Sequence, residues 1–321
     1  MKKRFKVNKL ITYLLLSVAA VISLLPLYWV FSTSLQLKSF QDEELERPTS
    51  YVNANPPKMY PIGITEYLEH WGKARDAEKA GDAEQEAYHR EVMSMIVKDT
   101  FSGFKNLFEK NQMGMWFFNS LYIGIVVTIG ILLLDSMAGY VLAKKRFPGR
   151  NLIFWLIIST MMIPSQVTLV PMFIMIRDLG LMDTHWALIL PDLSMVFGVF
   201  LMRQFMLSIP DELIEAAKID GASEWKTYWK IVLPLARPGL AALGIFTFMN
   251  VWNSFLWPII VLNSAKLYTL PVGLKTLQDA NLADFKLLMS GAAIAAIPMI
   301  IVFLIFQRHF VKGLTLGGVK E

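Results

Sequence analysis

Apolar side chains run almost unbroken for about twenty positions at a time in six places, at 10–31, 118–142, 152–176, 186–206, 240–262 and 287–306. A helix rises ~1.5 Å per residue, so each run is long enough to cross a hydrocarbon layer ~30 Å thick. The pattern predicts six transmembrane helices. Polar residues wet two of the runs, Asp135 in the second and Ser165, Gln166 and Thr168 in the third. Between the first two runs, residues 32–117 read differently. A turn at Asn55-Pro56-Pro57 leads into 64–80, Gly81 separates that segment from 82–109, and both are rich in Ala, Glu, Lys and Gln, which predicts two helices. In the second, Tyr88, Met95, Ile96, Phe104, Leu107 and Phe108 recur at roughly helical spacing. Such a face suits the protein's own outer loops, a membrane surface or a partner.

Composition agrees with the pattern: in 321 residues, 55% hydrophobic side chains are too many for one ordinary soluble core. Lys2, Lys3 and Arg4 ahead of the first run resemble a secretory signal, but the run is too long and no small-residue cleavage site follows, so it reads as an anchor. With no cysteine, disulfides and thiolate sites are excluded, and the four scattered histidines lack the i, i+4 spacing of a helical metal site. No nucleophile with its base and no convergent acid pair is visible, so neither catalytic residues nor a cofactor is expected. The net charge of +5 is topological rather than a nucleic-acid footprint. Alternate short connections carry 16 and 4 Lys plus Arg, which puts both termini on the cytoplasmic side of a cell membrane and 32–117 outside. The resulting division is a cytoplasmic segment 1–9, a first span 10–31, an external loop 32–117, a membrane domain 118–306 with a cytoplasmic loop 207–239, and a cytoplasmic tail 307–321.

The cytoplasmic loop is the most informative stretch. Pro210 with Asp211 and Glu212 predicts a helix start. Asp220-Gly221 predicts its end, because glycine supplies the left-handed conformation a tight bend needs. Ser223 can cap a second helix, which ends near Leu233-Pro234 and sets Trp225, Tyr228, Trp229 and Val232 on one face. Two short helices at an angle suit either a cleft in a soluble partner or the lipid surface. The spacing Glu215-Ala216-Ala217, three residues, Gly221, nine residues, Ile231, one residue, Leu233-Pro234 resembles the signature loop of ABC importer permeases at every fixed position. Asn119-Ser120-Leu121, Gly139-Tyr140, the run Lys145 to Arg150, Gly313-Leu314-Thr315 and Gly317 to Lys320 resemble the sugar-importing branch, in particular the second membrane subunit of the maltose-type system. The likeness covers 1–40 loosely and about 100–321 well, and 41–98 departs from it.

The resemblance implies an all-α integral membrane protein with the type-1 ABC importer permease fold, six spans, a cytoplasmic coupling-helix loop and a helical extracytoplasmic insert. It implies that Glu215, Ala216, Ala217, Gly221, Ile231, Leu233 and Pro234 dock on an ATPase. By the same likeness, Gly317, Gly318, Val319 and Lys320 reach between two ATPase subunits. The outer loop around 273–285, with Gly273, Leu274 and Gln278, would enter the sugar site of a binding protein. Partners would be a second homologous permease in a heterodimer, two ATP-binding cassette subunits, an extracytoplasmic sugar-binding protein and membrane lipid. The chain has no Gly-x4-Gly-Lys-Ser/Thr loop, so ATP would be used in trans. Within the spans, Asn250, Asn253 and Ser254 with Trp252 and Trp257 nearby could meet a sugar or bond to the partner permease. Pro164, Pro171, Pro191, Pro258 and Pro298 can kink their helices. Asp135 lies nine residues before Lys144, about 14 Å in at ~1.5 Å per residue, and is expected to be hydrogen-bonded within the bundle. The competing class is an ion-coupled transporter with Asp135 and Asp192 as coupling acids.

Overall fold

The computed structural model describes residues 2–35, 62–280 and 284–315, and among these every regular element is helical. In chain order they are α1 (Lys2–Ser34), α2 (Ile62–Ala80), α3 (Ala83–Thr100), α4 (Ser102–Lys110), α5 (Met113–Lys144), α6 (Arg150–Ser159), α7 (Ser165–Asp178), α8 (Trp186–Ile189), α9 (Val196–Leu207), α10 (Asp211–Ile219), α11 (Glu224–Thr227), α12 (Leu233–Leu235), α13 (Arg237–Trp252), α14 (Leu256–Val261), α15 (Leu270–Ala280) and α16 (Phe285–Thr315). Stretches of α1, α5 and α16 are each long and apolar enough to cross a membrane unbroken.

The third, fourth and fifth of the six apolar runs are helical but interrupted, so each is built from two shorter helical pieces rather than one. In the third, Ile163 is extended at φ −83° and ψ 116°, because the ring of Pro164 crowds the preceding residue out of the helical region. The helical segments on either side are bent by 98°. In the fourth, α8 ends before Pro191, and turns lead to an extended Met195 from which α9 starts. In the fifth, α13 closes at Trp252 and α14 resumes at Leu256. Pro164 and Pro191 therefore mark breaks, whereas Pro171, Pro258 and Pro298 stay inside α7, α14 and α16.

The described residues form two compact units, one within 1–113 and 274–296, the other within 114–273 and 297–321. In the first, Gly81 at φ +73° reverses the chain between α2 and α3, and Asp82 caps α3 by accepting from the Gln85 amide at 3.1 Å. His70 and His89 meet across this hairpin, Nδ1 to Nδ1, at 2.9 Å. The expected helix over 82–109 is in fact two, broken at Phe101. The break redirects α4 so that Leu107 is fully buried and Gly103 lies against α16, where an added Cβ would stand 2.4 Å from the Ser290 hydroxyl.

The second unit has a core of Val127, Ile131, Met202, Met206, Val232, Leu243 and Val261. Close approach of α5 and α9 depends on Gly139, whose absent Cβ would sit 2.9 Å from the Arg203 amide nitrogen. Outside that core, Leu152, Trp155, Met162 and Val167 are more than half exposed. Side chains of this kind call for lipid or a neighbouring membrane helix around them.

Candidate functional site

The loop 207–239 folds as its residues dictate. Helix α10 ends at Asp220, and the Gly221 amide donates to Lys218 O at 3.0 Å while the Ala222 amide donates to Ala217 O at 2.9 Å. This pair of bonds is the Schellman closure, which requires the left-handed φ of +71° found at Gly221. The Ser223 hydroxyl then accepts from the Lys226 amide at 3.2 Å and starts α11. A π-helical turn over Tyr228–Val232 joins α11 to α12. The whole segment Glu224–Leu235 meets α13 at 78°.

The expected single apolar face on the second helix is divided. Tyr228 and Val232 are buried in the core, whereas Trp225 and Trp229 are 59% and 39% exposed. A face four residues wide on a helix that also turns π cannot point one way, so half packs inward and half outward. On α10, Ile214 and Ala217 face in, and Glu215, Ala216 and Ile219 face solvent. Of the motif positions, Ile231, Leu233 and Pro234 are half-buried and pin the second helix to the body. An uncovered surface of Glu215, Ala216, Ile219, Trp225 and Trp229 remains.

That surface is fastened to the end of α5 by groups far apart in sequence. The Lys144 ammonium, almost wholly buried, donates to Ile209 O and to Asp211 Oδ1, the latter at 2.6 Å. Lys145 pairs with Glu224, whose Oε2 also accepts from the Tyr140 hydroxyl at 3.0 Å. The hydroxyls of Ser136 and Tyr228 share a hydrogen bond at 2.7 Å. Hydrogen bonding to Lys144 holds the Asp211 carboxyl below its ordinary range, and the Lys145 hydrogen bond does the same for Glu224. Lysine identity at 144 and 145 was visible in the sequence; the partners, 67 and 79 residues away, were not.

Elsewhere the expected residues are sorted differently. Gly273, Leu274 and Gln278 lie in α15, not in an open loop, because Ser120 and Thr269 anchor the helix start: the Leu270 amide donates to the Ser120 hydroxyl at 2.7 Å. Gly273 is buried against Trp116, whose ring would stand 2.1 Å from an added Cβ, and only Gln278 is exposed. Gly317, Gly318, Val319 and Lys320 lie outside the described residues.

Asn250 and Ser254 come together with Ile131, Asp192, Ser194, Met195, Thr247 and Val251 around a cleft of about 310 Å³. Asn253 does not join them; its amide group donates to Met249 O at 2.8 Å. Neither nearby tryptophan presents a free ring face to the cleft: Trp252 is buried against Phe117 and Phe248, and the Trp257 indole donates to Ala187 O at 2.9 Å. Asp135 is hydrogen-bonded within the bundle, as expected. It accepts from the Ser194 hydroxyl at 2.8 Å and from the Met195 amide at 3.0 Å. The carboxyl of α5 thus caps α9 from outside, where the chain break leaves amides with no carbonyl above them.

A helical membrane body carrying a two-helix projection fastened to the end of α5 is the architecture of an importer permease. The chain belongs to the binding-protein-dependent transport system inner membrane component family, whose model matches residues 135–316. It is 44% identical over 205 residues to the arabinooligosaccharides transport system permease protein AraQ of Halalkalibacterium halodurans, covering 64% of this chain and 74% of that one. It is 38% identical over 203 residues to the sn-glycerol-3-phosphate transport system permease protein UgpE of Yersinia enterocolitica, covering 63% and 72%. The crystal structure of a bacterial ABC transporter involved in the import of the acidic polysaccharide alginate superposes with a TM-score of 0.68 at 20% identity, covering 95% of this chain and 97% of that one, so the two share a fold. The protein is a multi-pass permease of the type-1 ABC importer fold, with only helical elements among the described residues.

Proposed function

We propose that this permease forms half of the translocation path of a binding-protein-dependent carbohydrate importer and converts ATPase closure into alternating access. Its partners are a second homologous permease, two ATP-binding cassette subunits and an extracytoplasmic sugar-binding protein, with both termini cytoplasmic. The observation that carries this reading is the uncovered surface of Glu215, Ala216, Ile219, Trp225 and Trp229 on a projection tied to α5. Aromatic anchors beside a small-residue patch are what a cleft in a soluble partner takes up. A rigid mount lets a partner whose open and closed states differ bias two arrangements of the spans. Glu215, Ala216, Ala217 and Gly221 shape the docking element, Ile231, Leu233 and Pro234 seat it, and Gly317 to Lys320 would reach the ATPase pair. Hydrolysis is the partner's task, since the chain has no phosphate-cradling loop.

The relatives' names supply two cargo classes, an uncharged oligosaccharide and an anionic phosphoester. Carbohydrate is common to the first relative and to the alginate system. The ion-coupled alternative loses its first acid, because Asp135 is occupied in capping α9.

Gly221→Val tests the coupling role. A β-branched residue held at φ +71° costs about 1–2 kcal/mol of backbone strain, while nothing lies within 4 Å of an added Cβ. The protein should therefore insert and fold, the assembled complex should hydrolyse ATP without moving sugar, and co-purification with the ATPase should weaken. Normal uptake in that variant, or a wild-type permease that never retains an ATPase on purification, would overturn the proposal.

A further inference from the structure

The cleft beside α13 speaks to the charge of the cargo. Its polar wall comes from two separate breaks in the membrane domain: Asp192 and Ser194 from the turn between α8 and α9, and Thr247, Asn250 and Ser254 from the end of α13. Asn250 is thirteen residues along from Arg237, about 20 Å at ~1.5 Å per residue, well within the depth of a bilayer core. Side chains of this composition do not face lipid. Thr247 is 1% exposed, and its hydroxyl has no hydrogen-bond partner among the described residues. The wall is held from behind, since Ser194 and Met195 are fixed by the Asp135 carboxyl. At about 310 Å³ the cleft reaches the lower end of the ~300–1,000 Å³ typical of ligand pockets.

We propose that this cleft is a hydrated station of the cargo path that accepts uncharged polyhydroxy groups and turns anions away. The inference rests on the importer proposal and extends it to the cargo. Apart from Ser194, whose hydroxyl is bonded to Asp135, the polar groups in the wall match a sugar hydroxyl: the Asp192 carboxyl accepts, the Thr247 and Ser254 hydroxyls donate and accept, and the Asn250 amide does both. No Lys or Arg lines the cleft, and no salt bridge among the described residues involves Asp192. On this chain's side of the path, a carboxylate or phosphate on the cargo would find no cation to pair with and would meet the like charge of the Asp192 carboxyl. Between the two cargo classes weighed above, this chain is built for the uncharged one.

The absence of cysteine permits a direct test. Asn250→Cys and Ser254→Cys, each made alone, are assembled with the permease, ATPase and binding-protein partners in membrane vesicles. They are then treated with small cationic or anionic methanethiosulfonates, and modification of this chain is read by mass. Rates are normalised to those with a free thiol in solution. Both positions should react, with the cationic reagent favoured about 10-fold, as a cleft lined by one sign of charge would produce. Asp192→Asn should remove that preference, and arabinotriose delivered by the binding protein should slow modification. Silence toward both reagents at both positions, or a charge preference that is absent or survives Asp192→Asn, would overturn the inference. ATP-driven uptake by the unsubstituted complex is measured in parallel: uptake with unbiased labelling sinks only the cleft assignment, whereas absence of uptake sinks the importer proposal itself.

Discussion

Asp135 explains itself once the fourth apolar run is seen to be broken. A helix that starts inside a membrane leaves its first amides without carbonyl partners, and water is not there to replace them. The carboxyl of α5 fills that role for Met195 and for the Ser194 hydroxyl. Gly198 makes the arrangement possible, since a Cβ there would lie 2.1 Å from Asp135 Oδ2. Two substitutions separate bonding from charge. Asp135→Ala should destabilise the purified protein by roughly 1–3 kcal/mol, the usual penalty for stranding buried polar groups, read as a fall in thermal midpoint. Asp135→Asn keeps an acceptor oxygen and should fold with a smaller loss. If Asp135→Asn abolished transport with the midpoint unchanged, capping would not be the whole role. Gly198→Ala should mimic Asp135→Ala, because the methyl group displaces the carboxyl rather than removing it.

The two-helix projection depends on pairs of charges that also set its response to acid. Glu224 is held below its ordinary value by the Lys145 hydrogen bond. A group whose folded pKa is lowered contributes stability above its unfolded value, about 4.3 for glutamate, and that contribution disappears as the pH falls through the folded value. Hydrogen-exchange protection over 211–235 should therefore drop in acid below about pH 4.3, and Lys145→Ala should lose the part of this step that belongs to Glu224 while the Lys144–Asp211 part remains. At neutral pH the change in stability should stay within about 1 kcal/mol, since Glu224 is largely exposed. A larger effect would appear in the ratio of ATP hydrolysed to sugar moved. Motif spacing and turn chemistry made the projection legible in the sequence: Gly221, Ser223 and Pro210 each perform the local task their chemistry suggests. Its fastening was not legible, because Lys144–Asp211 and Lys145–Glu224 are tertiary pairs. The unbroken runs that became α5 and α16 were also readable from hydropathy alone. The interruptions at Ile163 and at 190–195 were only hinted at by Pro164 and Pro191, since Pro171 and Pro298, equally visible, leave their helices intact. Nothing local separates a proline that breaks a membrane helix from one that a neighbour accommodates.

Over the whole chain, the topology we propose from the distribution of Lys and Arg has the α2–α3 hairpin outside and α10–α11 inside. Gly72 has nothing within 4 Å of an added Cβ, so Gly72→Cys should be harmless and should react with a membrane-impermeant maleimide on intact spheroplasts. A cysteine at Lys226 should react only after permeabilisation. The opposite result at either position would reverse the orientation and remove the coupling role together with it. The cleft was half legible in the same sense: Asn250 and Ser254 stood out as polar residues in an apolar run, while Asp192 and Thr247 joined them only through the folding of two interrupted segments.

The outward-facing indoles of Trp225 and Trp229 and the almost bare Ile219 carry a consequence for how the protein is made. A copy synthesised ahead of its neighbours would display this adhesive patch in the cytosol, where chaperones and proteases survey exposed apolar surface. Surplus chains should be cleared until an ATPase arrives to shield them, so the amount of this subunit in a cell would track the supply of its neighbour rather than its own rate of synthesis.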